Sequence, residues 1–319
     1  MNVDFLKEVL SLPSISGSEG MVRDYIKNFA NNNGIDYYLD RKGNVYLTKG
    51  KLKNENEYYP CVVSHIDTVH TSHTSLIDNR EKLTIKEEDD ILTAYLPNTE
   101  TQTGIGGDDK CGVYVCLELF KRFDYLKGAF FVEEEIGMRG SKEADDDFFE
   151  NVGYAIQFDA PSSNWITEIC YGVKLFDEDF KDLISETLGD CGYTNFSKDP
   201  FTDVNQLASK YDFNCLNLGC GYYRQHSNSE YVVISEVENS LIAGETLINK
   251  LGVNKYTHKK VLITESTYQP FFEEGDDDVV DYDDEMIEGI VDLVLFMSKN
   301  GYDKEEIKSE VSTYLNVFY

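Results

Sequence analysis

The stretch Tyr59-Pro-Cys-Val-Val-Ser-His-Ile-Asp67 begins as a continuous apolar run and ends in polar residues. Such a run is typical of a strand buried on both faces in a parallel sheet. Two further segments repeat the arrangement: residues 128–132 precede three glutamates, and residues 153–158 precede Asp159. Acidic residues that follow buried strands are expected at the carboxyl edge of the sheet, where open α/β sheets build their sites.

Segments with helical spacing of apolar residues alternate with these strands. They cover residues 3–12, 19–33, 110–123, 177–188, 202–210 and 236–251. Further strands are predicted at 36–39, 44–48, 166–171 and 215–218, with a hairpin at 83–95. Strands that alternate with helices favour a mostly parallel sheet. We therefore predict an α/β fold over residues 1–254, with a mostly parallel mixed sheet sandwiched by helices.

The character of the chain changes after about residue 255. Residues 259–266 could form a strand, residues 273–285 are rich in acids, and residues 286–299 and 304–318 have the pattern of a helical pair. We predict that residues 255–319 form a small C-terminal helical extension. The acidic linker is most simply a solvated, self-repelling segment, and a calcium site is the alternative, although the spacing of an EF-hand loop is absent.

The composition excludes several classes of partner. The chain has 319 residues, with 59 acidic and 29 basic side chains and a net charge of −30. This charge repels phosphate backbones and anionic lipids, so we expect neither a nucleic acid nor a membrane partner. No segment reads as a signal peptide or a membrane span, so a cytoplasmic location is expected. The seven cysteines are an odd number without a Cys-x-x-Cys pair, which favours buried thiols over a zinc-thiolate site.

Polar residues at the strand ends are the candidates for chemistry. His65 and Asp67 lie two residues apart, so both side chains would share one face of an extended strand. Asp67 could then hold the His65 ring in the tautomer that a metal needs, although a strand-end His-x-Asp is also a common structural hydrogen bond. The three glutamates at 133–135 would repel one another at a sheet edge unless a cation compensates them. Asp109 could be a helix cap.

Taken together and in order, these residues resemble the ligand set of the co-catalytic zinc metallopeptidases, the clan of the M20, M28 and M42 groups. The first part of the chain is similar to the peptidase T-like M20 enzymes, and the segment from Thr202 to Glu230 looks closer to the M42 aminopeptidases. The similarity covers about residues 3–251. The matched motifs are His65-x-Asp67, Gly107-Asp-Asp-Lys-x-Gly112, Glu134-Glu-x-Gly137, Asp159 and His226-x-x-x-Glu230.

The resemblance implies two divalent metal ions, zinc in the first place, with cobalt or manganese as alternatives. Asp108 would bridge the two ions, His65 and Asp159 would complete one site, and Glu135 and His226 the other. Glu134 would be the general base and Asp67 the partner of the His65 ring. The family also implies a cis peptide bond between Asp108 and Asp109.

The implied activity is that of a metallo-exopeptidase, an aminopeptidase or tripeptidase acting on short peptides. An N-acyl amino acid amidohydrolase and a non-catalytic binding or assembly protein are the alternatives.

The interval between Asp159 and His226 leaves no room for the lid domain that typical M20 enzymes insert there. A homo-oligomer is possible. His70 and His73 are interpreted as loop residues, with a cleft position as the alternative. For Arg224 we expect an ion pair with Glu230, and a contact to a substrate carboxylate is the alternative.

Overall fold

The computed structural model describes residues 1–198 and 201–259. The predicted linker and helical pair, and the predicted strand beyond Lys259, lie outside the described residues. Within the described ranges, no helix combines the length and the apolar character that are needed to cross a bilayer.

Two sheets occupy the described part of the chain. The larger one has nine strands: β1 (Asp36–Leu39), β2 (Val45–Lys49), β3 (Tyr59–His65), β7 (Leu126–Phe131), β8 (Val152–Ala160), β9 (Trp165–Cys170), β10 (Val173–Lys174), β11 (Asn195–Lys198) and β12 (Asn214–Gly219). The smaller, antiparallel sheet has five: β4 (Thr84–Glu88), β5 (Ile91–Tyr95), β6 (Gln102–Thr103), β13 (Tyr222–Tyr223) and β14 (Tyr231–Val233).

Helices connect these strands. They are α1 (Val3–Leu10), α2 (Gly20–Asn33), α3 (Thr74–Asn79), α4 (Gly107–Arg122), α5 (Arg139–Lys142), α6 (Asp146–Phe149), α7 (Glu178–Asp190), α8 (Val204–Lys210) and α9 (Ile234–Leu251).

Helix α1 ends two residues before the predicted position. The N–H of its C-cap residue Ser11 donates to the Lys7 carbonyl and so completes the last turn. Helical conformation is disfavoured directly before Pro13, which accounts for the early end.

The order of the large sheet is β1-β2-β7-β3-β8-β12-β9-β10, with β11 beside β9. β7, β3, β8 and β12 are mutually parallel, whereas β1, β2, β9 and β10 join by antiparallel pairs. The four central strands therefore end at the same edge. The predicted mixed, mostly parallel sheet is confirmed.

Both faces of the sheet are covered, as its apolar strands require. On one face α4 packs so closely on β7 that a Cβ at Gly128 would lie 2.6 Å from the Phe120 ring. On the other face the Tyr46 ring meets Phe131 edge-on and lies 4.7 Å, centroid to centroid, from the Phe148 ring. The predicted α/β class, a sheet flanked by helices, is thus the observed one.

The described part of the interval between Asp159 and His226 is filled by β9 to β13, α7 and α8. All of these strands except β13 belong to the large sheet. All seven cysteines are free thiols, six of them buried, as the composition suggests.

Candidate metal centre

The candidate site lies at the carboxyl edge of the four central strands. His65 is the last residue of β3, Asp159 is near the end of β8, and Glu134 and Glu135 follow β7. Asp108 lies in the first turn of α4, and His226 lies in the loop between β13 and β14. The structure brings the five predicted ligand residues together with Glu134 and Asp67.

Asp108 lies between the two imidazoles. Its Oδ1 is 3.0 Å from His65 Nε2, and its Oδ2 is 3.3 Å from His226 Nε2. One carboxylate thus presents one oxygen to each ring. A side chain in this position can connect two neighbouring binding sites.

Each imidazole has a second carboxylate beside it. Asp159 Oδ1 lies 3.5 Å from His65 Nε2, and Glu135 Oε2 lies 3.1 Å from His226 Nε2. The group therefore has two halves, each with one nitrogen and one carboxylate of its own, and Asp108 is common to both. His65, Asp108 and Glu135 also present ligand atoms that all lie within 4.8 Å of one another.

Asp109 is a geometric competitor of Asp108, because its carboxylate forms a similar group with His65 and Asp159. Its oxygens are already engaged, however. Oδ2 accepts the Ser64 hydroxyl at 2.6 Å and the His65 N–H at 3.3 Å, and Oδ1 accepts the Gly112 N–H at 3.0 Å. Asp108, by contrast, presents one carboxylate oxygen to each imidazole. The Asp108–Asp109 peptide bond is cis, as the family resemblance implies.

The charges of this group are poorly compensated by the protein. Burial raises the pKa of Glu134 and of Asp159 well above the ordinary value, and burial raises the pKa of Glu135 as well. For His65 and His226 burial acts in the opposite direction, but the adjacent carboxylates outweigh it and raise both pKa values. Such shifts are typical of buried acids that need a positive partner.

Two buried carboxylate oxygens test whether these residues fit a metal ion. Oε1 of Glu134 and Oε1 of Glu135 have no hydrogen-bond donor in range among residues 1–198 and 201–259. Buried polar atoms are normally satisfied, so an orphaned pair beside two imidazoles requires an explanation. Imidazole nitrogens and carboxylate oxygens are the ligands that zinc and similar divalent ions take. The residues present fit such ions.

The Asp67 carboxylate holds the main chain of Glu134 and Glu135 by hydrogen bonds. Its Oδ1 accepts the Glu134 N–H at 3.0 Å, and its Oδ2 accepts the Glu135 N–H at 3.2 Å and the Ser16 hydroxyl at 2.7 Å. Toward His65 it offers two oxygens: its main-chain carbonyl lies 3.1 Å from Nδ1 and its Oδ1 lies 3.4 Å away. The predicted contact to the ring exists, but the main-chain carbonyl makes the shorter approach.

Sequence reasoning missed two residues that hold Asp159. Gln157 Nε2 donates to Asp159 Oδ2 at 3.0 Å, and Gln157 Oε1 accepts from Thr202 Oγ1 and the Val204 N–H. The Tyr222 hydroxyl donates to Asp159 Oδ1 at 3.3 Å. Gln157 could have been found, since it lies two residues before Asp159 on the same face of β8. No sequence signal points to Tyr222.

Asp203 was also missed. It is fully buried before α8, and burial raises its pKa to about 7, against the opposing field of His65. Asp203 is thus a further buried carboxyl group beside the proposed ligands. Its position depends on how α8 packs, which the local sequence does not show.

Three other expectations concern the surrounding loops. Glu230 does not pair with Arg224, because its carboxylate accepts from His70 and from main-chain N–H groups instead. Arg224 is exposed, and no carboxylate of the described residues lies within ion-pair distance of it. His70 is a loop residue as interpreted, whereas His73 is the last residue of a short 3-10 helix, Thr71–His73. Both are buried, and His73 Nε2 lies 3.1 Å from Thr103 Oγ1.

Comparison with known proteins gives a likeness in structure. No model of a known protein family matches the sequence, and no curated protein matches it. The aminopeptidase PepT from Bacillus cereus has a similar structure, with a TM-score of 0.64 and 13% identity over 78% of this chain and 97% of that one. A tripeptidase from Staphylococcus aureus gives a TM-score of 0.60 and 12% identity over 77% of this chain and 96% of that one.

The TET1 peptidase of Pyrococcus horikoshii, described as assembling into a tetrahedron or an octahedral shell, gives a TM-score of 0.56. Its identity to this chain is 15%, over 77% of this chain and 98% of that one. At these identities, the likeness establishes only that the chain shares the fold of these peptidases.

Proposed function

We propose that this protein is a metal-dependent exopeptidase that hydrolyses amide bonds of short peptides with two divalent ions, zinc in the first place. One observation carries the proposal: the two oxygens of Asp108 face His65 and His226 separately, and each ring has its own second carboxylate. His65, Asp159 and Asp108 would hold one ion, and Glu135, His226 and Asp108 the other. Each site then keeps a position open, as catalytic zinc sites do.

Ions held by these residues would polarise the substrate carbonyl and lower the pKa of water. The chain's own contribution to proton transfer would come from Glu134. Its Oε1 is buried and has no donor among the residues that the structure describes, so it is available to accept a proton. Its Oε2 lies 3.9 Å from His65 Nε2, beside the proposed ligands. Glu134 would take the proton from the attacking water and pass it to the leaving amine, which is the task of a general base followed by a general acid.

The position of Glu134 is fixed by its main chain. Asp67 accepts the N–H groups of Glu134 and Glu135, so one carboxylate aligns the proposed base and a proposed ligand together. Because the fold is like that of known peptidases, we favour a peptide substrate. The similarity to a tripeptidase and to aminopeptidases supports a short peptide with a free amino terminus.

An N-acyl amino acid amidohydrolase is a second candidate, because Arg224 offers an exposed guanidinium two residues before His226 that could bind the carboxylate next to the scissile bond. We also propose a homo-oligomer, supported by the assembly described for the TET1 peptidase, and a cytoplasmic location, supported by the seven free thiols. Light scattering of the purified chain measures its mass in solution and so tests the homo-oligomer.

The decisive experiment combines metal analysis with a substrate panel for wild type and Glu134→Gln. We expect about two ions per chain in both proteins and turnover in wild type alone, because the Gln amide retains the shape of Glu134 but cannot accept the proton. The panel pairs di- and tripeptides with their N-acetylated forms. Turnover restricted to the acetylated compounds would favour the amidohydrolase.

Loss of both ions on Glu134→Gln would make Glu134 a ligand and contradict its role as base. Bound metal without turnover of any substrate by the wild type would favour a binding protein that retains the fold.

A further inference from the structure

Glu230 has no role in the proposed centre, yet its side chain is fully buried. It lies directly before β14, four residues after His226. A buried carboxylate is costly unless charged or hydrogen-bonding partners compensate it. Its partners therefore show what it does.

Three donors converge on the Glu230 carboxylate. His70 Nε2 lies 2.8 Å from Oε2, and the Gly106 N–H donates to the same oxygen at 2.7 Å. The Asp108 N–H donates to Oε1 at 3.2 Å. Two of the three donors belong to the main chain of the turn that leads into Asp108, the residue that both halves of the metal centre share.

The turn itself packs against the segment that carries Glu230. A Cβ at Gly107 would lie 3.3 Å from Glu230 Oε1 and 2.8 Å from a methyl group of Val232. Gly106, with φ of +65°, adopts a left-handed conformation that glycine tolerates. The turn is thus shaped to bring its N–H groups onto this carboxylate.

We propose that Glu230 is a positioning residue for the metal centre. Its carboxylate, held by His70, fixes the main chain at Gly106 and Asp108 and so directs the Asp108 carboxylate between His65 and His226. Glu230 is not itself a ligand, since its two oxygens are engaged by three donors. The inference rests on the proposed function, because it concerns the binding of ions to the proposed ligands.

The test is the affinity of the apo protein for Zn²⁺, measured by competition with a chelator. In Glu230→Gln, the amide oxygen keeps the most hydrogen bonds if it takes the place of Oε2, where it accepts from both His70 and Gly106. The amide NH₂ then faces the Asp108 N–H, donor against donor. We expect Zn²⁺ affinity to fall about 10- to 100-fold, the range found when residues that orient metal ligands are changed. At saturating Zn²⁺, we expect kcat to fall with KM unchanged.

Glu118→Gln is the matched control. Glu118 is another buried glutamate, on the distant part of α4, and its carboxylate pairs with Lys121. We expect this variant to lose some resistance to thermal unfolding while its Zn²⁺ affinity equals that of wild type. A structural role of Glu230 would lower only the unfolding temperature, as in this control.

A second pair of variants keeps the test open if Glu230→Gln does not fold. His70→Leu removes the donor that holds Glu230, and we expect a fall in Zn²⁺ affinity in the same direction. His70→Gln can still donate from its amide, and we expect it to recover most of that affinity. Wild-type affinity in both Glu230→Gln and His70→Leu would overturn the inference.

The wild type separates this inference from the proposed function. A wild type that binds Zn²⁺ but hydrolyses no peptide contradicts the exopeptidase alone, and the affinity comparison still decides the role of Glu230. A wild type that binds no Zn²⁺ overturns both.

Discussion

Replacing Asp67 by Asn tests how the proposed base is held in place. The Asp67 carboxylate accepts from Glu134 N, Glu135 N and Ser16 Oγ at 3.0, 3.2 and 2.7 Å. An asparagine can keep only one acceptor. Its oxygen keeps the most hydrogen bonds in the place of Oδ2, which accepts from Glu135 N and Ser16 Oγ. Its NH₂ group then faces the Glu134 N–H. The variant therefore loses the bond to Glu134 while it keeps the bonds to Glu135 and Ser16.

The size of the effect follows from that single bond. A hydrogen bond to a charged group contributes about 1.5–3 kcal/mol, and the bond to Glu134 is buried. If the whole loss appears in the transition state, kcat falls about 10- to 150-fold, at about tenfold for each 1.4 kcal/mol. We expect KM to change little, because the displaced group is the proposed base and not a part that binds the peptide.

The assay is the steady-state hydrolysis of a tripeptide, with metal content determined on the same samples. Asp177→Asn is the control, since Asp177 also accepts a main-chain N–H, that of Phe180, but caps α7 away from the site. We expect the control to keep wild-type kcat. A kcat within twofold of wild type in Asp67→Asn would refute the reasoning. Recovery of full activity by excess metal would show that Asp67 acts through His65 and not through Glu134.

Three further predictions concern stability. Burial, together with nearby His70 and Lys110, lowers the pKa of His73 to about 2, so the folded chain stays unprotonated there while the unfolded chain binds a proton below about pH 6.5. As pH falls from 6 to 5, the free energy of unfolding of the wild type should therefore fall by about 1.2 kcal/mol more than that of His73→Gln, as measured by urea unfolding. In Gly112→Ala the new Cβ would lie 2.3 Å from Asp109 Oδ1. We therefore expect the free energy of unfolding, measured with urea, to fall by about 1–3 kcal/mol, whereas a Gly to Ala change in a helix usually raises it by about 1 kcal/mol. Removal of bound metal with a chelator should lower the thermal unfolding temperature, and an unchanged temperature would show that the native chain binds no ion more tightly than the unfolded one.

Long, strongly patterned segments were predictable from the sequence, and short ones were not. β3, β8 and α4 are at least seven residues long and carry apolar runs or helical spacing, and they were placed within about three residues of their observed ends. β10 and β13 have two residues each, too few for any periodicity. Their pairing is decided by the turns and strands around them, which is tertiary information.

The candidate site shows the same limit. The candidate residues could be found from the sequence because most of them follow a strand or begin a helix at one edge, and the family resemblance supplied their proposed roles as ligands. The partner of Glu230 could not be read in this way. Arg224 is close to it in the sequence, but the loop between them turns so that Glu230 meets His70 and the Gly106 N–H instead. Likewise, only the family resemblance distinguished Asp108 from its neighbour Asp109, and residue type alone does not show that the Asp109 oxygens are engaged by groups on β3 and α4.

The distribution of the gathered residues along the chain also bears on the order of assembly. His65 is made early and His226 late, and they meet only after β3, β8, β12 and the loop beyond β13 have reached their native places. A nascent or truncated chain that stops before residue 226 lacks one of the two imidazoles. The complete pocket therefore requires a chain that extends at least to His226, so a fragment ending earlier could test the half of the site that contains His65.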